Sequence, residues 1–277
     1  MSPSDPTPEA PRRTGASLGL LLVLMVAYQL PEGLGLRRWG RMDALALLWL
    51  GFYLLALGVG RALGRPGFQT FGLGRAPGFQ TFGLGRAPGF GPTFLGLLGA
   101  ALAAKGLALV LGIALGIYAV GPVAAPGQGL LIALLGAGVT TFIPSVAEDL
   151  VTRGLPWRLW PPKWGAVGFV AASAALFVVN HVFRLGKGPM EWAFLFTLGV
   201  AYAAALARFD TLWAAVALHW GWNLANALVD LRWDVTILQP GRAPFLSMGA
   251  HLLLLGLVLG MPRRSRSASL EAPARPA

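Results

Sequence analysis

The sequence predicts an all-α, polytopic integral membrane helix bundle with about eight transmembrane helices. Of its 277 residues, 56% are hydrophobic and 12% are charged, so a soluble domain of this composition could not cover its surface with polar groups. The apolar residues are also gathered into runs long enough to cross a hydrocarbon core of about 30 Å at about 1.5 Å per helical residue. The chain has no cysteine, which excludes disulfides, thiolate metal sites and a cysteine nucleophile.

Eight apolar runs supply the predicted helices, and Pro31 and Glu32 shorten the first of them. They cover residues 16–34, 43–60, 93–120, 127–153, 164–183, 190–207, 211–230 and 244–261. We therefore predict a transmembrane bundle over residues 16–261. A polar, Pro-rich tail at 1–15 precedes it and a basic tail at 262–277 follows it, and the composition of both tails favours disorder.

The net charge is +11, and the cations lie between apolar runs rather than on an amphipathic element. We therefore expect the lipid bilayer, and no nucleic acid, as a partner. With the N-terminus inside, fourteen Lys and Arg fall on the inner side: Arg12, Arg13, Arg61, Arg65, Arg75, Arg86, Arg153, Arg158, Lys163, Arg208, Arg263, Arg264, Arg266 and Arg275. Seven fall on the outer side: Arg37, Arg38, Arg41, Arg184, Lys187, Arg232 and Arg242. This asymmetry predicts cytoplasmic termini. The Arg-, Ala- and Gly-rich, Lys-poor composition favours a bacterial cell membrane.

Residues 66–90 contain a tandem repeat with a period of eleven residues. The segment from Pro66 to Arg75 recurs from Pro77 to Arg86, and a third copy begins at Pro88. Its Gly and Pro content is incompatible with a regular helix. We interpret it as a recent duplication in a tolerant, irregular loop.

Ionisable and amide side chains inside the predicted spans cost several kcal/mol unless they are paired or face water. Asp149 and Arg153 are four residues apart with the acid first, which predicts an ion pair on one helix face. Glu148 is rotated by about 100° from Asp149 and is free to face something else. The full set is Lys105, Glu148, Asp149, Arg153, Asn180, His181, His219, Asn223, Asn226, Asp230 and His251.

The seventh run carries a polar stripe, because His219, Asn223, Asn226 and Asp230 stand at i, i+4, i+7 and i+11. Such a stripe must face the bundle interior or a water-filled cavity. Individual Asn and His residues also serve as hydrogen-bonding links between membrane helices, and this is the reading we prefer for His251, which is alone on its helix. Polar residues on three separate runs favour a functional site.

Three motifs resemble those of the CAAX-processing and bacteriocin-processing (CPBP) membrane proteases. Residues 147–154, AEDLVTRG, are similar to the family's E-E-x-x-x-R-G. Residues 177–181, FVVNH, match F-x-x-x-H, and residues 219–223, HWGWN, match H-x-x-x-N. The motifs occur in the family's order and cover 147–223. One departure is Asp149, which stands where the family has a second Glu.

The resemblance implies hydrolysis of a peptide bond within the membrane, in a membrane-associated protein or peptide substrate. The residues themselves can supply that chemistry, which needs an activated water and donors for the tetrahedral oxyanion. Glu148 is the expected base, His181 the group that helps to hold the water, and His219 with Asn223 the oxyanion donors. Asp149 and Arg153 are expected to support them. This scheme needs no cofactor.

Other functions use the same residues. Glu148, His181 and His219 with an open fourth position would make a catalytic zinc site, although no H-E-x-x-H motif is present. A non-catalytic membrane immunity or scaffold protein could keep the fold without the chemistry. A transporter could use the polar stripe as an ion path, but we find none of the inverted repeats that transporters often carry.

Overall fold

The computed structural model describes residues 12–63, 70–71, 90–123 and 129–262. Antiparallel helices run back and forth across one bundle. They are α1 (Arg12–Leu30), α2 (Met42–Ala62), α3 (Phe90–Ala114), α4 (Leu130–Asp149), α5 (Leu155–Leu159), α6 (Gly165–Asn180), α7 (Pro189–Phe209), α8 (Leu212–Asp230) and α9 (Ala243–Gly260).

Two of these helices are extended by π-helical turns. Pro31 has no N–H for the carbonyl of Ala27, and the chain after α1 continues as a π-helix over Pro31–Trp39. A second π-helix, Leu150–Gly154, joins α4 to α5. Together α4, this second π-helix and α5 make one span over Leu130–Leu159, which is longer than the predicted run at 127–153.

The predicted fold class is confirmed, because seven helices in the described part of the chain are long and apolar enough to cross a membrane. The eighth predicted span, 211–230, also forms a helix, α8. It is not among the seven, because its polar stripe lowers its mean hydropathy. Its first half is nevertheless buried in the bundle, where α8 packs against α3 and α4.

A small sheet corrects the predicted third span. The run at 93–120 was expected to be helical throughout, but α3 ends at Ala114 and Gly116 adopts a φ of +65°. Residues Tyr118–Pro122 then form strand β1, which pairs antiparallel with β2 (Trp233–Ile237). The partner strand is more than 100 residues away in sequence, so local hydropathy could not reveal it.

Up-and-down connectivity gives the bundle two ends. One end, the loop face, consists of residues 31–41, 115–123, 181–188 and 231–242. On this face β1 pairs with β2, and the Arg37 guanidinium lies 4.5 Å from the Phe183 ring centre. The termini face consists of residues 61–63, 155–164, 208–211 and 261–262. There Arg208 Nε donates to the Met261 carbonyl over 2.7 Å, and Trp157 Nε1 donates to Asp210 Oδ1 over 2.8 Å.

The repeat and the tails lie largely outside the described residues. Of 66–90, the structure describes Thr70, Phe71 and the start of α3 at Phe90. Thr70 and Phe71 are buried, and Thr70 Oγ1 donates to the Gly60 carbonyl over 3.0 Å, so this part of the first copy packs onto the bundle. In the predicted tail 1–15, residues 12–15 are helical and the rest falls outside; of 262–277, only Pro262 is described.

Close helix packing at Gly199 provides a test of the fold. A Cβ at this position would lie 2.8 Å from the Cα of Ala174, so α6 and α7 approach each other at backbone distance. We expect Gly199→Leu to lower the free energy of unfolding in detergent by about 1–3 kcal/mol, because it overpacks this contact. Gly96→Leu is the matched control, since a Cβ there meets nothing within 4 Å. Equal stability of the two variants would contradict the close packing.

Candidate active site

A cavity of about 450 Å³ lies between α1, α3, α4, α6, α7, α8 and α9. Its lining includes Glu148, His181, His219 and Asn223, the four residues singled out as catalytic from the sequence. They come from α4, the residue that follows α6, and α8, and nothing in their sequence spacing forces them together. Their convergence is therefore an observation independent of the motifs.

Glu148 is the centre of this group, and its side chain is only 6% exposed. Its Oε1 lies 3.3 Å from His181 Nδ1 and 3.3 Å from Asn180 Nδ2. Its Oε2 lies 3.6 Å from His219 Nε2. The carboxylate thus stands between two imidazole rings, and Tyr28 and Ser145 line the same space.

Asp149 and Arg153 form the predicted ion pair, and both side chains are fully buried behind the cavity wall. Asp149 Oδ1 accepts a hydrogen bond from Arg153 Nη1 and also lies 3.1 Å from His219 Nδ1. The structure adds this second contact to the prediction. Asp149 does not line the cavity; it supports His219 from behind while Glu148 faces the open space.

Aromatic rings cover the rest of the Arg153 guanidinium. Its Nε and Nη2 have no hydrogen-bond partner among the described residues. The guanidinium carbon lies 4.5 Å from the Phe177 ring centre and 5.0 Å from that of Tyr202, which are cation–π contacts in a desolvated setting. Phe177, the first residue of the second motif, thereby helps to hold the charged residue of the first.

Gly154, the last residue of the first motif, lies where the packing leaves no room for a side chain. A Cβ here would lie 2.8 Å from the carbonyl oxygen of Phe71 and 2.9 Å from Leu212 Cδ2. Both are closer than real Cβ contacts allow. Glycine therefore lets the helix that carries Glu148 pack against the start of α8 and against the first repeat copy.

The contacts of the two histidines assign their tautomers. His181 Nδ1 lies 2.8 Å from the Phe177 carbonyl and 3.3 Å from Glu148, both acceptors, so Nδ1 carries the proton. His219 Nδ1 faces the Asp149 carboxylate and carries a proton for the same reason. In the neutral rings Nε2 is then left as an acceptor on both residues. On His219 this atom is the one nearest to Glu148.

Asn223 is held on the α4 side of the cavity. Its Nδ2 donates to Ser145 Oγ over 3.0 Å, and Ser145 Oγ donates to the Thr141 carbonyl over 2.7 Å. One amide hydrogen of Asn223 is used by this contact and the other remains available. Asn226, the next residue of the stripe, lines the same cavity, whereas Asp230 is not among its lining residues.

Two residues of the site were not assigned from the sequence. Asn180 was recognised as a polar residue in a span but was given no role; it donates to Glu148. Gln29 is not among the polar residues named from the sequence; its Nε2 donates to Asn180 Oδ1 over 3.0 Å and to the Asn180 carbonyl over 2.8 Å. An amide inside the apolar run of α1 was the available signal for Gln29.

His251 and Lys105 lie at the periphery of the site. Tyr202 Oη donates to His251 Nε2 over 2.8 Å, and His251 Nδ1 donates to the Ser247 carbonyl. His251 thus links α7 to α9, which confirms the helix-to-helix reading. Lys105 lines the cavity from α3, with Nζ 5.1 Å from the Trp222 ring centre.

Comparison with known proteins agrees with the motifs. Residues 129–225 match the family model described as Rce1-like, type II CAAX prenyl endopeptidase Rce1-like. No curated protein and no solved structure matches the chain. The matched segment contains all four residues of the cavity group together with Asp149 and Arg153, and the family is one of proteases. Residues 129–225 of this integral membrane protein are therefore similar to the CAAX-protease (CPBP) family of hydrolases.

Proposed function

We propose that the chain hydrolyses a peptide bond in a membrane-associated protein or peptide, with Glu148 and His181 activating a water molecule and His219 and Asn223 stabilising the oxyanion. The observation that carries this proposal is the convergence of the four side chains on one cavity within the bundle. A hydrolytic site needs its base, water and oxyanion donors around a common carbonyl. Polar residues with only structural roles would not need to share one space, because each could bond a neighbouring helix separately.

Glu148 acts as the general base in this scheme. It takes one proton from a water molecule whose oxygen attacks the carbonyl carbon, and it later gives that proton to the amine as the C–N bond breaks. Asn180 and the Nδ1–H of His181 fix the carboxylate from one side. Because His181 Nδ1 is occupied, Nε2 is the atom left to accept a hydrogen bond from the water.

The oxyanion is stabilised from α8. Asn223 offers the amide hydrogen that Ser145 does not use. His219 lies between two carboxylates, since Nδ1 faces Asp149 and Nε2 faces Glu148. The donor role of His219 requires the doubly protonated ring, which keeps Nδ1–H on Asp149 and directs Nε2–H into the cavity. Asp149 is thus a positioning residue that acts through His219.

Zinc is the alternative cofactor, and the donor geometry does not fit it. Over the described ranges, no three His, Asp or Glu side chains are grouped so that they could hold a metal ion. His181 turns Nδ1 toward Glu148, and the Phe177 carbonyl already lies 2.8 Å from this nitrogen. This nitrogen carries a proton and cannot bind a metal, so His181 could offer only Nε2, the atom that the proposed scheme assigns to the water. We therefore derive no step through a metal.

Metal removal gives the corresponding prediction. We expect the cleavage rate of the purified protein to be unchanged by 1,10-phenanthroline at about millimolar concentration, because every proposed step uses side chains alone. Cleavage would be followed by mass spectrometry of a peptide identified by the termini comparison below. A loss of activity that added Zn²⁺ restores would replace this scheme with the metal-dependent one.

The departure from the family motif is tested at Asp149. We expect Asp149→Glu to change kcat by less than about tenfold, because a carboxylate still faces Arg153 and His219. Asp149→Asn should lower kcat by about 10²–10⁴-fold with little change in KM, because an amide can reverse the tautomer of His219. The measurement is kcat and KM of the two variants, which show whether the carboxylate at position 149 is needed for catalysis. Equal losses would mean that packing, rather than the carboxylate, matters at this position.

A comparison of protein termini tests the proposal as a whole. Membranes from cells that express the native chain should contain new peptide termini that are missing when Glu148→Gln is expressed at equal level. A scaffold or a transporter would give no such difference. Identical termini in the two samples would therefore remove the enzymatic function and leave the fold and the family resemblance unchanged.

A further inference from the structure

The carboxylate of Glu148 is held by donors that belong to another helix. Its Oε1 lies 3.3 Å from Asn180 Nδ2 and 3.3 Å from His181 Nδ1. Asn180 is the last residue of α6, and His181 is the first residue after it. The position of the proposed base therefore depends on how the end of α6 is fixed in the bundle.

Gln29 of α1 fixes that end of α6. Its Nε2 donates to the Asn180 main-chain carbonyl over 2.8 Å and to Asn180 Oδ1 over 3.0 Å. The last carbonyls of a helix have no partner within the helix, so the first of these bonds caps α6. A primary amide nitrogen carries two hydrogens, and the two bonds use both of them.

The bond to Oδ1 also determines which way the Asn180 amide faces. The Gln29 amide nitrogen donates and cannot accept, so it is compatible only with the oxygen of the Asn180 amide on its side. Asn180 Nδ2 then faces Glu148 Oε1, where a carboxylate needs a donor. A reversed amide would place oxygen against the carboxylate and nitrogen against Gln29, and both contacts would be repulsive.

Tyr28, the neighbouring residue of α1, contacts Glu148 directly. It lines the cavity, and its hydroxyl is within hydrogen-bonding reach of the Glu148 carboxylate. Its ring packs edge-on against α2, with ring centres 5.7 Å from Trp49 and 6.1 Å from Phe52. The phenol is therefore held in place by packing that does not depend on its hydroxyl.

We propose that α1 completes the active site, because Gln29 positions Glu148 through Asn180 and Tyr28 positions it directly. With Oε1 held by the end of α6, Oε2 is the oxygen left to take a proton from the water. Both α1 residues act on the base, so both are positioning residues. The inference rests on the proposed function and deepens it. It concerns a helix that precedes the matched segment 129–225, so the family motifs do not contain it.

Steady-state cleavage by the purified full-length chain tests the proposal, on a peptide identified from the termini comparison. Gln29→Met keeps the length of the side chain and removes both hydrogen bonds, and Tyr28→Phe removes only the hydroxyl. We expect each to lower kcat by about ten- to hundredfold and to change KM by less than about threefold, because a displaced base slows the chemical step and leaves substrate contacts intact. Val26→Met is the control on the same helix, because Val26 is 64% exposed, and it should keep the native kcat.

A double variant separates action through Asn180 from a general loss of structure. If Gln29 acts through Asn180, then Gln29→Met should lower kcat no further in an Asn180→Leu background. The midpoint of denaturant unfolding should show the same non-additivity, because both substitutions break the same contact. Losses of kcat that multiply, or midpoint shifts that add, would overturn the action through Asn180.

Failure of this inference can be distinguished from failure of the protease function. Native kcat in both Gln29→Met and Tyr28→Phe, with Glu148→Gln inactive, would overturn the role of α1 and leave the protease standing. A raised KM with native kcat would overturn it as well, because α1 would then bind substrate rather than position the base. Cleavage that does not depend on Glu148 would refute the proposed function and the catalytic role of α1 with it. The unfolding midpoints would still decide whether Gln29 holds Asn180.

Discussion

Glu148→Gln is expected to reduce peptide cleavage by about 10²–10⁴-fold, to the background rate, without unfolding the protein. Glutamine has nearly the same volume and can keep the contact with Asn180 through its amide oxygen. It cannot take a proton from water at neutral pH, so the attack on the carbonyl loses its base. The measurement is the initial rate on a peptide identified from the termini comparison, with the detergent melting temperature recorded beside it.

A second carboxylate in the same cavity supplies the matched control. Glu32 also lines the cavity, but it lies on the loop face, where it pairs with Arg37 over 2.6 Å and its side chain is 47% exposed. Glu32→Gln removes the same charge from the same cavity, and we expect it to retain most of the activity. Full activity in Glu148→Gln would exclude Glu148 as the base. A comparable loss in Glu32→Gln would show that the charge of the cavity, rather than one base, controls the rate.

Much of the fold was readable from the sequence because lipid imposes a simple length requirement on each helix. The exceptions have causes, some local and some distant in sequence, that a hydropathy profile does not show. The third run continues smoothly to residue 120, yet a left-handed Gly116 and the distant partner Trp233–Ile237 turn its end into a strand. The first run passes through Pro31 and continues to Trp39, because a π-helix accommodates the residue that was expected to shorten it.

The residues of the candidate site were also predictable, because polar side chains within apolar runs are costly and therefore conspicuous. The contacts that these residues make with distant parts of the chain were not predictable. The i, i+4 spacing predicts that Asp149 meets Arg153, but nothing in the sequence indicates that Asp149 also holds His219, 70 residues away. Gln29 is separated from Asn180 by 151 residues, and only the packing of α1 against the end of α6 brings them together.

Arg153→Met is expected to lower the free energy of unfolding by about 3–5 kcal/mol. The variant leaves the fully buried Asp149 without its counter-ion, and it removes the cation that lies over the rings of Phe177 and Tyr202. Methionine fills much of the space, so loss of charge rather than a cavity is the main cause. The measurement is a denaturant titration of the purified protein in mixed micelles, followed by tryptophan fluorescence.

An exposed pair and a double variant make the Arg153 test specific. Arg41 pairs with Asp43 on the loop face, and both side chains are more than half exposed, so Arg41→Met should leave stability unchanged. Adding Asp149→Asn to Arg153→Met should recover part of the lost stability, because the uncompensated carboxylate is then gone, although His219 loses its charged partner. Equal stability of Arg153→Met and Arg41→Met would mean that the buried Asp149–Arg153 pair does not contribute to the free energy of unfolding. A double variant less stable than Arg153→Met would place the role of Asp149 in its contact with His219.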